Sequence, residues 1–312
     1  MRLRGWSLIL LLFLCGCDTL PVSRLSINPQ IKTGSYPGTA IGAYVDGLGN
    51  LPAFQSAIGK NLAVVLWYIP WTGSFPVADA ETVSANGSIP LITWEPCIAD
   101  PAGTLEAIAS GSYETYVRSF LQAAKDWGKP VFLRFAHEMN GNWYPWAGSP
   151  DKYKKAWTYI YNVREAVGAS NVYLVWCPNN TSQPGDAWNN IAAYYPGDQY
   201  VDWVGMDGYN WGAASWQTFD AVFGDIYSQL TALTAKPLMI GEFACAEGGG
   251  KAGWISDAFL KMRAGYPRVK LFCWFNINKE KDWRIASSPS AEAAFKNSLQ
   301  NAYYLARIDQ VM

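Results

Sequence analysis

Short apolar runs recur along the chain and alternate with stretches in which apolar residues return every three or four positions. The runs are nearly continuous rather than alternating, which is typical of parallel strands buried on both faces. Eight such runs are predicted as strands, at residues 40–45, 62–68, 90–94, 131–136, 172–176, 203–206, 238–241 and 269–274. The pattern therefore indicates a mostly parallel sheet.

The segments between these runs show the spacing of amphipathic helices. The predicted helices cover residues 54–60, 77–85, 152–167 and 291–308, with two more apolar faces centred on Phe120 and Ile226. The connection after the fifth run, NNTSQPGDAW, is predicted as a loop. Strands therefore alternate with helices along most of the chain.

Eight strand–helix units fit one (β/α)8 barrel, a fold that typically takes about 250 residues. No linker, repeat or low-complexity stretch divides residues 36–312, which are predicted to form one catalytic domain. The alternative is an open doubly wound sheet. No glycine fingerprint follows the first predicted strand, so the barrel is favoured.

The N-terminus carries a different pattern, that of a targeting segment. Arg2 and Arg4 precede an apolar run, residues 6–14, that is too short to span a bilayer. The sequence LCGC, ending at Cys17, resembles the bacterial lipobox, in which cleavage leaves a lipid-modified cysteine. We expect a signal peptide at 1–17, a tether at 18–35 and a membrane-anchored lipoprotein facing the periplasm or outside. An ordinary secretory signal or an uncleaved anchor are the alternatives.

The amino-acid composition narrows the classes of molecule that the protein can bind. Charged residues make up 16% of the 312 residues and the net charge is −1, so nucleic acid is not an expected partner. The 16 Trp exceed what one core usually needs, and several lie in loops rich in Gly, Pro and Asn. Flat aromatic faces stack on sugar rings, so we expect a polysaccharide ligand, bound by a monomer.

The numbers and spacings of histidine and cysteine give little support for a metal site and do not fix a disulfide. The chain has one histidine, and four cysteines follow the N-terminal segment, at spacings that fit no zinc motif: Cys97, Cys177, Cys245 and Cys273. An exported protein can pair such cysteines, and buried free thiols are the alternative. We expect neither a metal nor another cofactor.

Two glutamates carry the strongest chemical signal. Glu138 follows the fourth predicted strand and Glu242 the seventh, and the carboxyl ends of barrel strands meet at one face. Glycoside cleavage needs one protonated and one ionised carboxyl group. A charged Glu242 raises the pKa of Glu138, and a hydrogen-bond donor keeps Glu242 ionised. Either glutamate alone would also suit an ion pair at the barrel rim.

Three segments, FLRFAHEMNGNWYPWAG, VDWVGMDGYNWG and PLMIGEF, resemble the strand-four, strand-six and strand-seven motifs of glycoside hydrolase family 26. That family contains retaining β-mannanases and β-1,3-1,4-glucanases on a (β/α)8 barrel. The resemblance implies that Glu138 is the general acid/base and Glu242 the nucleophile. It also implies a sugar contact for His137, support of the nucleophile by Tyr209, and a cleft lined by Trp143 and Trp274.

Several neighbouring residues have two interpretations. His137 is either a sugar contact or a structural histidine, and Gly141 at the second ligand position rules out a zinc HExxH motif. Arg134 shares strand parity with Glu138 and is predicted to form an ion pair below the site. Asp207 is a candidate strand-end hydrogen-bond partner. The remaining candidates for outer sugar contacts, or for loop packing, are Trp146, Trp71 and Trp211.

Substrate choice depends on one departure from the family pattern. Mannanases of the family usually carry a histidine at the end of strand three, where this chain has Glu95, in ITWEP. We therefore expect an endo-β-glycanase acting on mixed-linkage β-1,3-1,4-glucan, with mannan endo-1,4-β-mannosidase activity as the alternative. A non-catalytic glycan-binding lipoprotein and an exopolysaccharide-trimming hydrolase are further alternatives.

Overall fold

The computed structural model describes residues 38–97 and 104–308. The predicted signal peptide, the tether up to residue 35 and Cys17 lie outside this range. The strands are β1 (Thr39–Tyr44), β2 (Val64–Pro70), β3 (Ile89–Glu95), β4 (Val131–Phe135), β5 (Val172–Trp176), β6 (Trp203–Asn210), β7 (Leu238–Cys245), β8 (Val269–Phe275) and β9 (Tyr304–Leu305). Each of the first eight overlaps one of the eight predicted strands.

These eight strands form a closed parallel barrel. Each strand from β1 to β7 pairs with the next one along the chain, and β8 pairs with β1, where Ala43 lies beside Trp274. The two-residue β9 pairs with the start of β1, through Thr39 and Tyr304. The fold is a single (β/α)8 barrel, as predicted.

Helices surround the barrel: α1 (Leu51–Ile58), α2 (Val77–Ala85), α3 (Thr104–Ala109), α4 (Glu114–Trp127), α5 (Pro150–Val167), α6 (Ile191–Tyr194), α7 (Phe219–Leu233), α8 (Lys251–Gly265) and α9 (Pro289–Ser298). The predicted helix at 291–308 was too long, because the chain turns at Asn301, whose side chain accepts a bond from the amide of Tyr303. Helix α8 was not predicted. No helix in the described ranges is long and apolar enough to span a membrane.

Strand parity divides the core into two layers. Residues on one face of each strand fill the barrel, as Phe132, Met239 and Leu271 do, and the opposite face packs against the helices. A polar layer closes the barrel at the carboxyl ends of the strands, where Arg134 and Asp207 are fully buried. This layer forms the floor of a cleft.

Strands β6 and β7 extend four residues beyond their predicted ends. A register shift between Met206 and Asp207 sets Asp207 beside Glu242 in neighbouring strands. The apolar runs stop at this point because the polar Asp207 and Glu242 follow, although Phe243 further along β7 is again part of the core. Glu242 therefore lies within β7, on rigid backbone.

Candidate active site

A cavity of about 860 Å³ opens at the carboxyl ends of the strands. Glu138 and Glu242 both line it, together with Glu95. Half of the other lining residues are aromatic: Tyr44, Tyr68, Trp143, Tyr144, Tyr209, Trp211, Phe275 and Trp283. The two predicted carboxyl groups therefore share one aromatic cleft.

Glu242 is held by donors from three other strands. Tyr68 on β2 donates to Oε1 at 2.6 Å, Arg134 on β4 donates to the same oxygen, and Tyr209 on β6 donates to Oε2. Burial raises the pKa of Glu242, but the charge of Arg134, with His137 and the two phenols, outweighs it and lowers the pKa to about 2. Glu242 is therefore ionised at neutral pH.

The pKa of Glu138 is shifted in the opposite direction. Burial and the charges of Asp207 and Glu242 raise its pKa well above the usual range of a glutamate, although a hydrogen bond from Trp143 Nε1 to Oε2, 2.6 Å long, opposes the change. Its carboxyl group therefore holds a proton that it can donate into the cleft.

The backbone at Glu138 is strained. Its φ is +52° and that of Ala136 is +47°, in the left-handed region that residues other than glycine rarely adopt. The amide of Glu138 donates to the carbonyl of Cys177 at 2.8 Å. A side chain at Gly141 would collide with the ring of Trp143 at 2.6 Å, so the glycine lets this ring reach Glu138. The loop is built to aim one carboxyl group.

Arg134 links the polar layer to the nucleophile candidate. Its guanidinium donates to both oxygens of Asp207, at 2.9 and 3.1 Å, and to Thr93 as well as Glu242. Burial raises the pKa of Asp207 and the charge of Glu242 adds to this, whereas the charge of Arg134, in direct contact, favours the ionised carboxylate. The buried ion pair predicted below the site is confirmed, and it also reaches Glu242.

One group of possible metal ligands occurs in the described ranges. One ligand atom each from His137, Asp207 and Glu242 lies within 4.8 Å of the others. Arg134 donates to both of these carboxylates, so a guanidinium already supplies the positive charge that a cation would bring.

His137 is almost fully buried, with Nε2 3.9 Å from Glu242 Oε1. Burial and the charge of Arg134 lower its pKa to about 3, against the charge of Glu242, so the imidazole is neutral. Its ring lies 4.7 Å from that of Tyr144. The sugar contact predicted for His137 stays a prediction.

The aromatic candidates divide between cleft and core. Trp143 and Trp211 line the cavity and are 46% and 44% exposed. Trp274 does not line the cleft, because strand parity turns it outward against Phe243 and Phe295. The two remaining candidates pack internally: Trp146 stacks on Tyr144 and Trp71 lies against Trp94.

Sequence reasoning did not find Tyr68, Phe275 or Trp283 in the cleft. The parity of β8 indicates Phe275 directly, since the inward-facing Leu271 and Cys273 precede it at intervals of two. Tyr68 follows the inward-facing Leu66 by the same interval. No periodic pattern indicates Trp283, which lies in a loop.

The cysteines named above are all free thiols in the structure. Cys97 is exposed, whereas Cys177, Cys245 and Cys273 are buried. The thiol of Cys177 donates to Asp207 at 3.1 Å. The interpretation as buried free thiols is therefore confirmed for three of these four, whereas Cys97 is free but exposed. Cys177 belongs to the polar layer.

A barrel that presents one protonated and one ionised carboxyl group to an aromatic cleft has the arrangement that glycosidases use. The sequence pattern of glycosyl hydrolase family 26 matches residues 106–302. The chain belongs to glycoside hydrolase family 26.

Named relatives differ in their substrates. The chain is 40% identical over 289 residues to endoglucanase H of Acetivibrio thermocellus. The aligned region covers 87% of this chain and 31% of that protein. It is 29% identical to β-1,3-xylanase TXYA of a Vibrio species, over 80% of this chain and 58% of that one. A mannan endo-1,4-β-mannosidase of Bacillus subtilis is 27% identical, over 63% and 52% of the two chains. The chain thus spans only about a third to three-fifths of the length of these relatives.

Solved structures share the fold. A β-mannanase of the family from Bacteroides ovatus has a TM-score of 0.69 at 18% identity, over 89% of this chain and 93% of that chain. A modular endo-β-1,4-mannanase from Cellulomonas fimi has a TM-score of 0.68 at 19% identity, over 90% and 74%.

Proposed function

We propose that the protein is a retaining endo-β-glycanase with Glu242 as nucleophile and Glu138 as acid/base. The observation that supports this most is that two carboxyl groups line one cleft, one held by Arg134 and two phenols and the other by a single indole. Glu242 attacks the anomeric carbon and forms an ester as the glycosidic bond breaks, and Glu138 gives its proton to the departing oxygen. Glu138 then takes a proton from water, which attacks the same carbon and releases Glu242.

The hydrogen bonds of Glu242 distinguish its two oxygens. Oε1 accepts bonds from Tyr68 and Arg134, whereas Oε2 accepts one bond, from Tyr209. A carboxylate oxygen has two lone pairs, so Oε2 keeps one free for the anomeric carbon. We assign the attack to Oε2.

We propose mixed-linkage β-1,3-1,4-glucan as the substrate. Glu95, at the end of β3, faces the cavity that holds both carboxyl groups, and the relative with 40% identity is an endoglucanase. Polar groups around a sugar discriminate strongly between epimers, because the wrong hydroxyl leaves a buried group unpaired. Mannan is the second candidate, favoured by the likeness to mannosidases.

The test is reducing-sugar release by the purified protein. The substrates are barley mixed-linkage glucan, glucomannan, pure mannan, xylan and cellulose, each assayed with wild type and Glu242→Ala. Release from mixed-linkage glucan alone supports a glucan site marked by Glu95. Release from mannan makes the second candidate correct.

Three outcomes would overturn the proposal at different levels. Near-normal turnover by a folded Glu242→Ala variant removes the nucleophile assignment. Binding to a glucan without release by wild type would instead favour a glycan-binding protein on a glycosidase scaffold. No sugar release from any of the five polysaccharides favours an exopolysaccharide as substrate.

A further inference from the structure

Lys251, the first residue of α8, is fully buried and has no carboxylate at hydrogen-bond distance. Its ammonium group donates to the carbonyl of Asp282 at 3.0 Å, the carbonyl of Arg284 at 2.7 Å and the hydroxyl of Ser287 at 2.8 Å. These three acceptors use all three ammonium protons. The nearest carboxylate oxygen, on Glu247, is 4.0 Å away. One side chain of α8 therefore binds three points of the loop between β8 and α9.

Two of these acceptors flank a residue of the cleft. Asp282 and Arg284 immediately precede and follow Trp283, whose side chain lines the cavity. The ring of Trp283 lies 5.0 Å from that of Tyr209 and 5.2 Å from that of Trp211. Trp283 is only 1% exposed, so Lys251 fixes the backbone on both sides of a buried ring that supports the exposed Trp211.

The stability of α8 does not account for this lysine. A cation in the first turn of a helix opposes the helix dipole, and burial of a charge costs free energy unless its hydrogen bonds are satisfied. Lys251 carries both of these costs, and all three of its hydrogen bonds go to the loop, with the charge of Glu247 at 4.0 Å as a further contribution. The loop is thus the part of the molecule that benefits.

A second anchor fixes the other side of this loop. Trp274 donates from its indole to the carbonyl of Trp283 at 3.0 Å, and the amide of Trp283 donates to Ile277 at 2.9 Å. Trp274 lies in the core, so the loop is tied to the barrel on one side and to α8 on the other. Removal of Lys251 frees the α8 side and leaves three oxygens without their donor.

We propose that Lys251 is a positioning residue that holds the buried Trp283 in place and, through it, Trp211, an exposed sugar-binding wall of the cleft. This inference rests on the proposed function, because it assigns substrate contact to Trp211, which Trp283 supports. Lys251 itself touches neither substrate nor the reacting groups. Its loss should weaken substrate binding far more than it slows the chemical step.

The protonation of Lys251 sets the assay conditions. Burial lowers its pKa to about 8, while Glu247, Cys245 and Asp282 act against this and Arg284 adds to it. The ammonium form, which has three donors, is fully present at mildly acidic pH. The experiments are therefore done at about pH 6.

The first experiment needs no substrate. Hydrogen exchange of residues 276–288 is followed by mass spectrometry in wild type, Lys251→Met and Lys261→Met. Lys261 is the matched control, since it lies on the same helix, is exposed and pairs with Asp220. Exchange in 276–288 should rise in Lys251→Met only. Unchanged exchange in that variant would refute the anchor.

The second experiment measures KM and kcat on the active polysaccharide for Lys251→Met, Trp283→Ala and the double variant. Lys251→Met should raise KM about tenfold with kcat nearly unchanged. If the lysine acts through Trp283, the double variant should match Trp283→Ala. Additive losses, or a fall in kcat at constant KM, would overturn the proposal.

Two safeguards keep the outcomes distinct. If Lys251→Met does not fold, Ser287→Ala removes one of the three acceptors, and it should give smaller changes in the same direction. If wild type releases sugar from none of the polysaccharides, the proposed function fails, and the exchange experiment still decides whether Lys251 anchors the loop.

Discussion

At the scale of single residues, Glu138 and Glu242 have the same side chain and opposite charge states. Glu242 receives bonds from an arginine and two phenols, whereas the carboxyl group of Glu138 receives a single one, from Trp143. Both are buried, so the difference comes from the donors and the charges around each carboxyl group. A charged Glu242 adds to the raised pKa of Glu138, so each supports the role of the other.

Glu138→Ala should reduce turnover strongly for polysaccharide and much less for activated aryl glycosides. Only a poor leaving group needs a proton, so the loss on polysaccharide should reach about 100-fold or more. In wild type, kcat/KM on polysaccharide should fall at alkaline pH as Glu138 loses its proton. This fall should be absent with aryl substrates, which do not need the proton. The measurement is kcat/KM against pH for both substrate types. Equal losses on both would show that Glu138 is not the acid.

Tyr68→Phe should shift the acid limb of kcat/KM to higher pH. The substitution removes the 2.6 Å bond to Glu242 Oε1 and leaves Arg134 in place, so the pKa of Glu242 rises. A hydrogen bond to a charged group is worth about 1.5–3 kcal/mol, which corresponds to about one to two pH units. The pH profile of kcat/KM measures the shift.

Tyr44→Phe is the matched control for this experiment. Tyr44 also lines the cleft, but its hydroxyl bonds to Asp46, at 3.4 Å. Tyr44→Phe also removes a phenol oxygen from the wall of the cleft. The acid limb of kcat/KM should stay at the same pH as in wild type. An equal shift in both variants would attribute the effect to the cleft as a whole rather than to Tyr68.

At the scale of elements, the strands position the site and the ends of the helices contribute stability. Helix α4 ends at Gly128, whose φ is +79°. The nearest atoms to an added Cβ are 3.8 Å away, so a substitution there meets no steric clash. The left-handed backbone alone decides its cost.

Gly128→Ala should lower the free energy of unfolding by about 1–2 kcal/mol, because alanine is strained in the left-handed conformation. Gly265→Ala is the control, since Gly265 ends α8 without a positive φ and also has open space around it. It should leave stability unchanged or raise it by up to about 1 kcal/mol. Urea unfolding measures both, and equal losses would contradict the argument.

At the scale of the whole molecule, the buried charges of the site link stability to pH. Folding lowers the pKa of Glu242 from 4.5 to about 2, so its contribution to stability is complete above the ordinary value and is lost as pH falls towards 2. That contribution is on the order of 3 kcal/mol. The difference in unfolding free energy between wild type and Glu242→Gln should therefore shrink as the pH drops below about 4.5. A constant difference across that range would contradict the low pKa.

We further propose that the protein is a lipid-anchored, exported enzyme. Cys17→Ser should release it from membranes, because the lipid attached to this cysteine would be the anchor. Fractionation of cells that express both forms, followed by immunoblotting, measures the release. A variant that stays with the membrane would refute the lipobox interpretation. A wild-type protein that is free of membranes would refute it as well.

The sequence by itself determined the fold and indicated the two glutamates that we propose as the reacting pair. Eight apolar runs predicted eight strands, because strands buried on both faces must be apolar along their whole length. Glu138 and Glu242 were found because each follows such a run, where barrel strands converge. Position along the chain was sufficient for both.

Only the tertiary structure decided what surrounds each carboxyl group. Tyr68, Arg134 and Tyr209 come from three different strands, and their contacts with Glu242 exist only when the barrel closes. Trp274 was assigned to the cleft and lies in the core, since one step of strand parity separates it from Phe275. Local periodicity reports burial, whereas protonation and cleft shape depend on residues that are distant in the chain and meet in space.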